Sequence, residues 1–211
     1  MTRRFVVLLC VLSPWLGTQG VFAGTGDPAV AQMRDPAVAQ IQTLTAALLK
    51  SMKAGRGQSM TERYRNLEPV IQQSFALQQM TRITVGPQAW AQFTPQQQQQ
   101  SIAAFSRFIT ANYAYNFREY DGERFDVDSN PRSRGDDKLV QTHIIGRDGD
   151  STSLLYRMRQ ADGSWKILDV YSDGVSELTL RRSDFSAAIA AGGAPELLSY
   201  LQKASDGLMR R

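Results

Sequence analysis

The sequence predicts an α+β protein in which an antiparallel sheet of about 4–5 strands packs against about 6–7 helices. Three observations carry that expectation. Apolar residues recur at helical spacing from position 36 to about 119. The pattern then changes to alternation between positions 123 and 171, and helical spacing returns after 183. Asn130-Pro131, Asp148-Gly149 and Asp162-Gly163 punctuate the alternating stretch, as turns do between consecutive strands of a meander.

The chain opens with Arg3 and Arg4, an apolar run from Phe5 to Leu12 that continues through Trp15 and Leu16, and small residues ending at Ala23. That order describes a secretory leader over residues 1–23, cleaved after Ala23. The run is shorter than the ~20 apolar residues a membrane-spanning helix needs. Cys10 follows Leu9, where a lipoprotein signal wants a small residue, so no lipid anchor is expected. Arg3 and Arg4 leave with the leader, so 24 basic residues become 22 against 20 acids, a net charge of +2. This mild bias gives no footprint for nucleic acid. With Cys10 removed no thiol remains for disulfides or thiolate metal sites. A packed core must supply the stability, and the mature length suits a single domain over residues 35–211.

Asp27 to Gln32 repeats as Asp35 to Gln40. The first copy is expected to belong to a flexible segment, 24–34, while the second supplies an Asp35 cap and Pro36 for a helix running to about Ala54. Ser59-Met-Thr-Glu62 is a capping box for a second helix, which Pro69 is expected to interrupt or restart. Thr81 to Gly86 reads as a bend and Pro87 to Phe93 as a short helix. Thr94-Pro95 opens the longest helix, to about Glu119, whose apolar face holds Ile102, Phe105, Phe108, Ile109, Tyr113 and Phe117. Gln96 to Gln100 read as the solvated first turns of that helix. Strands follow near 123–128, 138–146, 151–160 and 164–171, with Ser176 to Leu180 as a candidate fifth. Ser183-Asp184-Phe185 is expected to cap a helix ending at Gly192-Gly193, and Pro195 to start the last.

A reaction centre is hard to assemble. His143 is the only histidine, no Gly-x-Ser-x-Gly turn precedes a helix, and the acidic clusters lack the calcium-loop pattern. No catalytic residue, metal ligand or cofactor is assigned. The pairs Arg63/Arg65, Arg132/Arg134, Arg157/Arg159, Arg181/Arg182 and Arg210/Arg211 read as solvated faces, one or two of which could meet a phosphate or an acidic partner.

What stands out is large apolar side chains facing a sheet. On the helices these are Leu67, Val70, Ile71, Phe75, Met80, Trp90, Phe105, Phe108, Ile109 and Tyr113. On the strands they are Val140, Ile144, Leu154, Tyr156, Met158, Trp165 and Ile167. Pattern alone does not distinguish a filled core from the wall of a cavity. In the last full strand, alternation places Trp165, Ile167, Asp169 and Tyr171 on one face and Lys166, Leu168 and Val170 on the other.

Four segments together resemble the periplasmic phospholipid-binding proteins of the Mla lipid-transport system, also called toluene-tolerance auxiliary proteins. They are Trp165 to Ser176; Phe75 to Gly86 with Trp90 and Thr94-Pro95-Gln96-Gln97; Phe105, Tyr113 and Tyr120-Asp-Gly122; and Arg182-Ser-Asp-Phe185 with Gly192-Gly193 and Leu197 to Leu201. The run from Ser176 through Phe185 is similar to the hopanoid-associated HpnM branch. The resemblance implies a curved sheet, an apolar pocket between sheet and helices formed by the seventeen side chains named above, and a phospholipid or hopanoid-type lipid as ligand. It further implies a monomeric periplasmic shuttle between an inner-membrane transporter complex and an outer-membrane lipid-handling complex. Two rival readings remain: an enzyme using His143, Asp169 or a tyrosine in a pocket, and a periplasmic adaptor with a filled core.

Overall fold

The computed structural model describes residues 35–210. The expected leader, the segment 24–34 and the first copy of the repeat lie outside the described residues. Helix α1 (Pro36–Ala54) begins as expected, with the Asp35 carboxylate accepting from the Ala37 N–H at 2.9 Å and Pro36 in the first turn. Its buried stripe, Val38, Ile41, Leu44, Leu48 and Met52, repeats every three or four residues and lies against α2, β1, β3 and β5.

Helix α2 (Met60–Ser74) carries the full capping box between Ser59 and Glu62 and runs through Pro69 without a break. The expected interruption does not occur. Arg63, Leu67, Ile71 and Ser74 form one buried stripe on both sides of the proline, and packing against α1 and α5 keeps the two halves in line. Arg63 is only 2% exposed, which corrects its reading as a solvated cation. Its guanidinium donates to the Ser51 carbonyl, to Ser51 Oγ at 2.9 Å and to the Gly55 carbonyl at 2.7 Å, gathering the open end of α1.

The expected bend at Thr81 to Gly86 is instead helix α3 (Leu77–Val85). The Thr81 and Thr84 hydroxyls donate to the Leu77 and Met80 carbonyls at 2.7 and 2.9 Å, so both threonines can be buried within the helix. Gly86, at φ 84°, turns the chain directly into α4 (Pro87–Gln92). Thr94 and Gln97 then cap α5 (Pro95–Asn116), which stops three residues short of Glu119.

The sheet holds β1 (Arg124–Val127), β2 (Arg132–Arg134), β3 (Asp137–Ile145), β4 (Ser151–Ala161), β5 (Ser164–Ser172) and β6 (Val175–Ser176). All pairings between these strands are antiparallel, in the order β1-β3-β4-β5-β6, with the short β2 also on β3. There are thus six strands, one more than the expected maximum, because the three-residue β2 has no apolar signal. The Asp162-Gly163 and Asp173-Gly174 pairs have positive φ at both residues, as type I′ hairpins require.

The candidate strand at Ser176 to Leu180 is wrong. Only Val175 and Ser176 are extended, and α6 (Glu177–Met209) starts at once, with Ser176 Oγ accepting from the Thr179 N–H. Ser183 and Asp184 lie inside that helix rather than capping it. Gly192 and Gly193 break it where the sequence placed a boundary, before Pro195.

On the outer side of the sheet Asp137 is 3% exposed and receives Arg157 Nε at 2.5 Å and Arg159 Nε at 2.6 Å. Burial opposes its ionisation, but the two guanidiniums outweigh that and hold the carboxyl below the usual carboxylate range. A lowered folded-state pKa gives stability that is present above the unfolded value of about 4 and lost as pH falls through the folded one. Asp137→Asn is therefore expected to destabilise the protein by about 1 kcal/mol at neutral pH, the partly exposed arginines limiting the effect. Urea midpoints of the two proteins should converge below about pH 3; a gap that persists there contradicts the assignment.

Candidate functional site

The site begins with an irregularity in β5. Val170 pairs with Tyr156 and Asp169 with Arg157, but Ile167 pairs with Met158, which leaves Leu168 as an extra residue. A bulge of this kind reverses the alternation. Directly opposed residues share a face, so Val170 and Ser172, opposite Tyr156 and Leu154, join Ile167 and Met158 on the inward side. The expected single face of Trp165, Ile167, Asp169 and Tyr171 is thereby corrected.

Two connections exploit the bulge. The Ala76 N–H donates to the Ile167 carbonyl at 2.9 Å, and Phe75 bridges to Ile167, so the junction of α2 and α3 covers the edge of β5. The Asp169 carboxylate, 4% exposed, accepts from the Val170 N–H at 2.8 Å, Ser176 Oγ at 2.7 Å and the Leu178 N–H at 3.1 Å. It therefore fixes the first turn of α6, where a carboxylate also meets the positive end of the helix.

Between α5, the α2–α3 junction, strands β4 and β5 and the start of α6 lies a cavity of about 210 Å³. Phe105, Phe108, Ile109, Tyr113 and Phe117 form its α5 wall, Phe75 and Met80 its end, and Leu154 and Val170 its sheet wall. Phe75 meets Tyr113 edge-on at 5.3 Å and Tyr113 stacks on Phe117 at 5.6 Å. Burial first, then the neighbouring Tyr156 and Glu177, pushes the Tyr113 hydroxyl well above the usual phenol range, so it stays neutral. Five lining residues are polar: Asn112, Asn116, Ser172, Glu177 and Arg181. The Arg181 guanidinium sits 5.2 Å from the Phe108 ring centre, with its side chain 25% exposed.

Of the seventeen candidates, Phe75, Met80, Phe105, Phe108, Ile109, Tyr113 and Leu154 line this cavity. Leu67, Ile71, Val140, Tyr156, Met158 and Ile167 are buried core instead. Val70, Trp90, Ile144 and Trp165 pack half-buried against that core without lining the cavity. Trp90 serves the α4–α5 joint, its carbonyl accepting from Gln98 Nε2 at 2.9 Å, and Trp165 lies under the Lys138 ammonium at 4.7 Å. Within the core, the Tyr156 hydroxyl and Thr142 Oγ1 have no hydrogen-bond partner among the described residues.

Val170, Ser172, Glu177 and Leu178 were missed because the bulge and the α6 start that bring them in leave no periodic signal, and Arg181 was named only as a member of one of five arginine pairs. Asn112 and Asn116 could have been found: they follow Phe105 and Phe108 at helical spacing on the same wall. His143 alternates with Thr142 and Ile144 and pairs with Asp126 and Ser153, on the face turned away from the cavity. It is not a pocket residue.

Residues 41–203 match the profile of the family described as MlaC protein. The chain belongs to the MlaC family. Among solved structures, the MlaC-family chain is similar to the phospholipid-binding protein from Ralstonia solanacearum, determined in complex with a phospholipid. The TM-score is 0.71 at 23% identity, over 82% of this chain and 99% of the other, so the likeness establishes the fold. No curated protein matches the chain significantly.

Two substitutions separate the cavity from the scaffold of this MlaC-family domain. Ile109→Trp should fill the cavity and cut retention of an apolar fluorescent probe at least about tenfold, with only a small change in urea midpoint. Equal loss of both would make Ile109 ordinary core. Asp169→Ala removes three bonds to a buried carboxylate and should cost about 1–3 kcal/mol. Hydrogen exchange should rise first in the opening turns of α6; uniform protection loss would disprove the cap's local role.

Proposed function

We propose that this MlaC-family protein is a periplasmic lipid carrier that shelters the acyl chains of a phospholipid in the cavity beneath α5. The observation that carries the reading is a cavity lined mostly by aromatic and aliphatic side chains, with the partly exposed Arg181 among its few polar ones. A two-chain lipid has on the order of 30 methylenes, and at ~0.8 kcal/mol each their exposure to water costs more than 20 kcal/mol. A carrier must cover that surface and needs no nucleophile, metal or cofactor to do so.

The cavity volume of 210 Å³ is below the roughly 300–1,000 Å³ of typical ligand sites, so loading parts the walls. The wall is aromatic and built from separate elements: α5, the α2–α3 junction and the start of α6. These can move apart while the core behind them stays packed. The leader over residues 1–23 directs export, and residues 35–211 act as one monomeric lipid-binding domain. It passes lipid from one membrane complex to the other, inner and outer, releasing it through contacts that favour the emptied state.

The test is direct. Mature protein, purified natively and recombinantly, is extracted with organic solvent and its lipid identified by mass spectrometry. About one two-chain phospholipid per protein is expected. A polycyclic hopanoid in its place would overturn the ligand, and no lipid from either source would overturn the carrier.

A further inference from the structure

The mouth of the cavity carries a charge arrangement that a generic apolar pocket does not need. Among the described residues lining the cavity, Arg181 is the only cation and Glu177 the only acid. Arg181 lies on α6 between Glu177, four residues earlier, and Asp184, three residues later, so all three share one helix face. Its contacts to them are long, 3.3 Å to Glu177 Oε2 and 3.5 Å to Asp184 Oδ2. At Asp137 the corresponding distances are 2.5 and 2.6 Å. The Arg181 fork is thus weakly engaged, while one of its faces rests on Phe108 in the cavity wall.

A phosphate offers such a guanidinium two parallel bonds at about 2.7–2.9 Å, better than either carboxylate gives it. Taking it would leave Glu177 in the cavity lining, and Asp184 on the same face of α6, without their cation. One cation and two carboxylates sum to a charge of −1. A lipid whose only charge is its phosphate would raise that to −2, whereas a headgroup that also carries an ammonium leaves it unchanged and supplies the carboxylates with a new partner.

Resting on the carrier reading, we propose that this mouth selects zwitterionic, amine-bearing phospholipids, with Arg181 holding the phosphate and Glu177 and Asp184 holding the ammonium. Phe108 lines the apolar cavity and carries the Arg181 guanidinium over its ring, which makes the ligand a lipid rather than a free phosphoamine.

The experiment uses delipidated mature protein incubated with vesicles of equimolar phosphatidylethanolamine and phosphatidylglycerol bearing the same acyl chains. Native mass spectrometry reads the lipid carried away. The wild type is expected to take the amine lipid in about fivefold excess, and Glu177→Gln with Asp184→Asn to bring the ratio close to one. Each single variant should fall between, which keeps the outcome readable if the double variant folds poorly. Lipid bound without headgroup preference, or a preference the variants keep, overturns the selectivity while leaving the carrier standing. No lipid bound by the wild type from either source overturns both.

Discussion

Three consecutive residues, Ile167, Leu168 and Asp169, organise the protein. The bulge at Leu168 lets β5 serve the core with Ile167 and the cavity with Val170 and Ser172. The Ile167 carbonyl takes the Ala76 N–H and so ties the α2–α3 junction to the sheet. Asp169 takes the Leu178 amide in the first turn of α6 and the Ser176 hydroxyl just before it, and so decides where Glu177, Leu178 and Arg181 stand. A buried carboxylate is costly unless its lone pairs are filled, and here two of its three donors, Ser176 Oγ and the Leu178 N–H, stand at the start of α6 beside the cavity. Without the bulge, alternation would continue and Val170 would point away from the cavity.

The molecule divides its apolar side chains between two tasks. Leu67, Ile71, Val140, Tyr156, Met158 and Ile167 are packed among α1, α2 and the sheet and supply the cohesion. The cavity wall is aromatic and lies mostly on α5, where rings meet at 5.3 to 6.5 Å. Flat rings can slide and tilt with modest cost, while interlocked branched aliphatic chains resist displacement. The carrier proposed above would open to load and close when empty, and both kinds of surface suit that task.

Charge is used differently at different places. Asp137 binds Arg157 and Arg159 closely, which fixes two strands. Arg63 is buried with no carboxylate partner among the described residues and is spent on the carbonyls at the end of α1. Among the described residues lining the cavity, Arg181 is the one cation, and it is loosely held. Reading all arginine pairs as one solvated class misses this, because engagement depends on neighbours distant in the chain.

The α+β class, the capped starts of α1, α2 and α5, the meander and the break at Gly192-Gly193 were legible because each rests on local physics. Caps, prolines, Asp-Gly turns and periodicity act within a few residues. The apolar residues of the α5 wall, Phe105, Phe108, Ile109, Tyr113 and Phe117, could be read that way too. Tertiary structure decided the rest. It kept α2 straight through Pro69 by packing it against α1 and α5, buried α3 with its threonine hydroxyls bonded inside their own helix, and turned the segment after Ser176 from strand to helix under the Asp169 cap. It also decided which apolar residues became wall and which became core. That choice hangs on one extra residue in β5, which shifts the inward face by one position and leaves no trace in composition or period.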